Sequence, residues 1–110
     1  MEVVEEMKKL RELLDEKQIV WEDISEDFST SAIPYKWICG TWFKYNGRGV
    51  TCINGIGTYG GCNASDNYKE NRGLIEMMIH GKDGEGKPIG YLTAEDCMEI
   101  LEEKFKNRKK

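Results

Sequence analysis

The sequence has little of what usually signals a chemistry. It holds one histidine, His80, and two prolines in 110 residues. The four cysteines Cys39, Cys52, Cys62 and Cys97 form no C-x₂₋₄-C knuckle; Cys39, Cys52, Cys62 and His80 are separated by twelve, nine and seventeen residues. Structural zinc sites pair their ligands at much shorter spacing, so no metal is expected. No motif places a cysteine beside His80, so a Cys-His nucleophile system is not expected either. Asp83-Gly84-Glu85 lacks the ligand spacing of a calcium loop. No carboxylate pair is flanked by apolar residues in the way a raised pKa requires. The expectation is therefore a non-enzymatic protein with no cofactor.

No apolar run approaches the ~20 residues that span a bilayer. The chain starts with a charged segment rather than a basic n-region and apolar core. A cytoplasmic protein with no membrane partner is expected, its cysteines reduced thiols used for packing. The net charge of −4 is uneven. Residues 1–35 carry ten acids and four bases, whereas residues 36–92 carry five and seven. Glu22, Asp23, Glu26 and Asp27 concentrate the acid, and Lys104, Lys106, Arg108, Lys109 and Lys110 gather base at the end. This is not the basic balance of a nucleic-acid binder; the terminal bases suit a solvated helix end and its dipole.

The chain is organised around Lys36 to Gly61. Trp37 to Tyr45 and Val50 to Ile53 are rich in aromatic and β-branched residues, which suit a pleated surface. Asn46-Gly47 between them predicts a two-residue hairpin turn. Tyr45 then faces Arg48, Phe43 faces Val50 and Thr41 faces Cys52. One face carries Cys39, Thr41, Phe43, Val50 and Cys52; the other carries Ile38, Trp42, Thr51 and Ile53. Both faces are partly apolar, so part of the hairpin is expected to be covered on both sides. A wider turn through Arg48-Gly49 would slip the register and exchange faces on one strand.

The hairpin exits into Asn54-Gly55-Ile56-Gly57-Thr58-Tyr59-Gly60-Gly61. Gly55 to Gly60 matches G-x-G-x-x-G, but Cys62 to Arg72 lacks the apolar period of the helix that a dinucleotide site requires. A P-loop is excluded because no Lys-Ser/Thr follows the glycines. The loop reads instead as a structural bend, or as a surface shaped for another ligand or partner.

Around this centre, Glu2 to Lys17 has apolar residues at helical spacing in Val3, Met7, Leu10 and Leu14. Glu5-Lys9 is an i,i+4 pair, and Glu12-Lys17 lies near that spacing. Ile19-Val20-Trp21 predicts a short strand, and Glu22 to Ser31 an acidic connection. Ile33-Pro34-Tyr35 leads into the hairpin. Leu74 to His80 and Pro88 to Leu92 predict a second hairpin around a glycine-rich loop. Thr93 and Asp96 predict a helix N-terminus, with Leu92 placed to pack on Cys97. The whole reads as an α+β fold in one domain spanning 1–110. A mostly antiparallel sheet of about five strands, built from two β-hairpins, packs against N- and C-terminal helices.

Trp37, Trp42, Tyr45, Tyr59, Tyr68 and Tyr91 surround the strands and the glycine loop, with Arg48 and Arg72 nearby in sequence. Aromatic residues and arginine dominate protein interfaces and also stack bases. Gly57-Thr58-Tyr59-Gly60-Gly61, Gly73-Leu74-Ile75-Glu76-Met77-Met78 and Gly90-Tyr91-Leu92-Thr93-Ala94-Glu95-Asp96 together resemble a group of short phage and prophage proteins of Firmicutes, over roughly Val50 to Leu101. The resemblance carries no activity, cofactor or catalytic residue. It implies a bacterial host cytoplasm and a mobile-element gene, a setting in which small accessory proteins often bind host defence proteins. The leading expectation is an interaction protein, such as an inhibitor of a CRISPR nuclease. Its contact surface would draw on Tyr59, Gly57, Gly60, Trp42, Arg48 and Arg72, with either the acidic segment or the aromatic hairpin. The alternatives are a binder that sequesters a signalling nucleotide through the glycine loop, and a homodimeric structural or regulatory phage protein.

Overall fold

The computed structural model of the protein describes residues 3–32, 36–61, 71–81 and 87–105. Two helices and six strands follow in the order α1 (Glu5–Glu16), β1 (Trp21–Asp23), β2 (Glu26–Asp27), β3 (Trp37–Tyr45), β4 (Arg48–Gly55), β5 (Ile75–Ile79), β6 (Ile89–Leu92) and α2 (Ala94–Phe105). They form one antiparallel sheet in the order β1-β3-β4-β5-β6, with β2 also pairing β3. The fold is α+β, with the helices at the two ends of the described chain. Ile33-Pro34-Tyr35, Cys62, Tyr68, Asp83 to Glu85 and the bases from Lys106 onward lie outside the described residues.

The Asn-Gly turn sets the centre. Asn46 and Gly47 both adopt positive φ, at 52° and 81°, as a type I′ turn demands. Tyr45 pairs with Arg48, Phe43 with Val50 and Thr41 with Cys52, so the tight-turn register holds rather than the slipped one. Alternation then sorts the side chains. Trp37, Cys39, Thr41, Phe43, Val50, Cys52 and Asn54 are buried. Their apolar members share one core with Met7, Leu10 and Leu14 of α1 and with Cys97, Met98, Leu101 and Phe105 of α2. Both helices thus cover the same face. The other face carries Ile38, Trp42, Thr51, Ile53 and Met78; Ile38, Trp42, Thr51 and Met78 are half-buried. Its cover is partial among the described residues: Ile24 lies over Gly40 beside Ile53.

Two local details depart from the sequence reading. The helix stops at Glu16 and the first strand is Trp21–Asp23, two residues later than Ile19-Val20-Trp21 suggests. Gln18 adopts φ 60°, its N–H bonds Asp15 O, and Ile19 N–H bonds Leu14 O. These are the two bonds of a Schellman cap, which holds Ile19 on the helix end and delays the strand. The acidic connection also supplies β2, because the nine-residue β3 is long enough to pair with two short strands. The expected Glu5-Lys9 and Glu12-Lys17 pairs are replaced by Lys9–Glu6 at 3.7 Å and Lys17–Glu102 at 3.3 Å. The second of these reaches across to α2.

Arg11 joins α1 to the sheet. Its Nε donates to Thr41 Oγ1 at 2.8 Å, and Nη2 donates to Gly40 O at 2.9 Å. The guanidinium also meets Asp23 at 3.2 Å and lies 4.6 Å from the centre of the Trp21 ring. One side chain therefore connects α1, β1 and β3. At the other end, Thr93 and Asp96 form the reciprocal capping box, each side chain accepting the other's N–H at 3.1 Å. Glu6 of α1 adds a third bond by accepting the Ala94 N–H at 2.9 Å. Its negative charge also suits the positive end of the α2 dipole.

Replacing Arg11 with Leu strips a buried hydroxyl and a carbonyl of a charged donor, so urea unfolding is expected to show a loss of about 2–3 kcal/mol. Arg11→Lys recovers less than half of this, because one ammonium cannot reproduce a planar fork stacked on an indole. Thr93→Ala costs about 1 kcal/mol by the same assay.

Candidate functional site

The glycine loop is a tied structure. Thr58 Oγ1 accepts the Gly55 N–H at 3.0 Å and donates to Gly55 O at 2.9 Å. Ile56 N–H bonds Trp37 O, Thr58 N–H bonds Gly55 O, and Gly61 N–H bonds Thr58 O. Tyr59 N–H donates to Glu76 Oε1 at 2.7 Å. The N–H groups of Gly55, Ile56, Thr58, Tyr59 and Gly61 are therefore all engaged within the protein, one of them by the Glu76 carboxylate. A backbone nest for phosphate needs the opposite arrangement: free donors and no anion. The loop's far side is fastened as well. Arg72 donates to Gly61 O through both its N–H and Nη1, each at 3.2 Å. Asn54 and Asn71 exchange amide hydrogen bonds at 3.0 and 2.7 Å.

This tied loop presents tyrosine. Tyr59 is 55% exposed, and beside it Tyr91 is 58% exposed. Tyr91 N–H bonds Tyr59 O at 3.2 Å. β6 carries a bulge here: Ile75 pairs with Leu92 and Met77 with Ile89, so Gly90 and Tyr91 stand opposite Glu76 alone. The bulge takes Tyr91 out of the strand's alternation and leaves its ring exposed. Tyr91 holds φ at 61°, a conformation costly for a bulky residue. Gly90 is required by proximity, because a Cβ there would collide with Tyr59 Cβ. Strain, a bulge and a bare backbone position together hold two phenol rings in solvent.

The sequence-derived site residues divide into three groups. Gly57, Tyr59, Gly60 and Arg72 all belong to the glycine loop; Gly57 is exposed and Gly60 is packed on Leu74. Trp42 shares the helix-free face but stands on β3, two strands or about 10 Å from β5. Its indole lies over Gly49. Arg48 is at the hairpin turn and packs on Gly81, away from the tyrosines. No protein-family model, curated protein or solved structure matches the chain. The site's meaning therefore rests on its own geometry.

Cys39, Cys52 and Cys97 are buried free thiols in the core, and burial pushes Cys39 up from the ordinary thiol range. The Cys52 thiol is pushed further, first by a hydrogen bond with Cys97 and then by burial. His80 belongs to the other face, with its Nε2 2.7 Å from Thr51 Oγ1. The sheet therefore separates these thiols from the imidazole. The residues that sequence reasoning missed are Glu76, Tyr91 as a partner of Tyr59, and Arg11. Glu76 breaks the apolar run Leu74-Ile75-Glu76-Met77-Met78-Ile79, which was the available signal.

The acidic segment has its own order. Glu22-Asp23-Ile24-Ser25 is followed directly by Glu26-Asp27-Phe28-Ser29, and the two units dock alike on β3. Ser25 and Ser29 donate their N–H groups to Asp23 and Asp27, each at 2.9 Å. Ile24 N–H bonds Gly40 O and Phe28 N–H bonds Lys36 O. The hydrogen bonds from Ser25, together with Arg11, hold the Asp23 carboxyl below its ordinary value of 3.8. A depressed pKa contributes stability that is present above the unfolded value and lost as pH falls through the folded one. Urea midpoints are thus expected to fall below about pH 4. Asp23→Asn should flatten that fall, and an unchanged acid limb in this variant would show that the carboxylate has no such role.

Proposed function

We propose that this protein is a non-enzymatic interaction protein that binds another protein through the helix-free face of its sheet, with Tyr59 and Tyr91 as the anchor. The observation that carries the reading is the exposure of both rings, Tyr59 on a hydrogen-bonded loop and Tyr91 at a bulge with positive φ. Exposed tyrosine on a fixed backbone loses little conformational entropy on binding, and tyrosine is enriched among residues that dominate interface energetics. Trp42, Ile38, Ile53 and Met78 extend the same face with apolar surface, so a partner would find a broad contact rather than two isolated rings. Backbone strain at a functional contact is a recognised association. The setting implied by the phage and prophage resemblance makes the partner a host bacterial protein in the cytoplasm. Defence components such as CRISPR nucleases are the first panel to test. The nucleotide-sequestering alternative draws little support from a loop whose N–H groups are largely engaged.

The test separates binding from folding. Tyr59→Ala with Tyr91→Ala should leave the melting temperature within about 2 °C, since both rings are mostly in water. The same pair should weaken capture of a host-defence partner at least about tenfold. Tyr91→Gly relieves the positive φ and should keep or raise stability by up to about 1 kcal/mol, while also weakening capture. Double variants that capture the same partners with wild-type affinity would overturn the reading. So would thermal shifts of the wild type by a cyclic-nucleotide panel with no protein captured.

A further inference from the structure

The sheet ends, opposite the tyrosines, in an edge whose chemistry is quite different. β1 and β2 lie against β3, and four strand spacings, roughly 19 Å, separate β1 from β6. Glu22 pairs with Trp42 and Glu26 with Ile38, which places both glutamates on the helix-free side. Their β3 partners are four residues apart, so the two carboxylates stand roughly 13 Å apart along the edge. Both glutamates are exposed. The apolar residues of the two repeated units, Ile24 and Phe28, are 38% and 46% exposed, and Val20 just before them is 86% exposed. No lysine or arginine occurs from Gln18 to Ala32.

The edge backbone is open along β1, whereas the Ser25 and Ser29 N–H groups further on are taken by Asp23 and Asp27. Ile24 N–H points to β3, and strand alternation then turns the N–H groups of Trp21 and Asp23 outward. Beside them is a surface groove of about 380 Å³ lined by Gln18, Ile19, Val20, Glu22, Trp42 and Lys44. An exposed edge normally attracts another strand. A second copy of this chain is the wrong occupant, because pairing the edge with itself sets Glu22 and Glu26 against their own duplicates. Like charges placed together cost affinity, and opposite charges guide it.

The geometry points to a second docking surface, in which the β1–β2 edge accepts an extended segment of a partner protein bearing lysine or arginine four residues apart. The basic side chains would meet Glu22 and Glu26, since four residues of extended chain at roughly 3.3 Å each cover the same separation. An apolar residue between them would cover Ile24, and another beyond the second would cover Phe28. Strand addition at such an edge draws affinity from main-chain bonds and specificity from alternate side chains. The inference builds on the protein-binding reading above but uses none of the tyrosine surface.

The probe is a synthetic nine-residue peptide with lysine at positions 3 and 7 and valine or threonine elsewhere, titrated into the ¹⁵N-labelled full chain. Amide shifts are expected from Val20 to Phe28 and along β3, with new exchange protection at Trp21 and Asp23. Raising salt should weaken binding severalfold. Glu22→Lys with Glu26→Lys should abolish it, whereas Tyr59→Ala with Tyr91→Ala should leave it unchanged. A glutamate-for-lysine version of the peptide should not bind. Three results would overturn the proposal: no shifts at 1 mM peptide, shifts that survive the double charge reversal, or Trp21 and Asp23 amides already protected in the free protein. Loss of partner capture in the tyrosine variants alone would leave this edge standing, and loss of peptide binding alone would leave the tyrosine face standing.

Discussion

The arrangement depends most on one guanidinium. Arg11 projects from α1 beside the buried Met7, Leu10 and Leu14, towards the oxygens of Thr41 and Gly40. A short apolar side chain in that position would leave the buried Thr41 Oγ1 without a donor and Gly40 O with the Ile24 N–H alone, and an under-satisfied buried polar atom is costly. The arginine satisfies them, stacks on Trp21 and meets Asp23 at the rim. Its position thereby fixes how α1 lies on β3 and where β1 attaches. The ion pair with half-exposed Asp23 adds little by itself; the bonds to Thr41 and Gly40 are the restraining ones.

That restraint makes the sheet two-sided. The shared apolar core, with Arg11 bonded to β3 and Glu6 capping α2, holds both helices on the face that carries Cys39, Phe43, Val50 and Cys52. The opposite face has no helix among the described residues, yet it keeps an indole, two isoleucines and a methionine. One-sided burial usually comes with a polar outer face. Here the outer face stays apolar at its centre, aromatic at the β6 edge and acidic at the β1 edge. A surface graded in this way offers a partner both area and orientation.

The glycine loop shows how a motif can be matched without its chemistry. G-x-G-x-x-G in a dinucleotide site leaves backbone donors pointing at phosphate. In this chain Thr58 and Glu76 consume donors of the same pattern, and the glycines serve tight backbone contact instead. Of the site residues suggested by sequence, Tyr59 with Gly57, Gly60 and Arg72 form one cluster. Trp42 belongs to the same face at a distance, and Arg48 lies elsewhere. The cluster's second ring, Tyr91, is separated from Tyr59 by 31 intervening residues. Only the strand bulge brings it there, so no local pattern could pair the two.

Local rules were enough for the hairpin register, the capping box of α2, the two amphipathic helices and the α+β class. Each depends on turn chemistry or on alternation within a few residues. Tertiary structure decided everything that requires distant residues to meet. It placed Arg11 on Thr41, Glu76 under Tyr59 and Glu6 on the end of α2. It also placed both helices on one side, which turned the hairpin's second face outward. Hydrophobic periodicity states which residues prefer burial, but not which of two apolar faces the rest of the chain will cover. That choice is made by long-range packing, in which the apolar stripes of both helices meet the face of Cys39, Phe43, Val50 and Cys52.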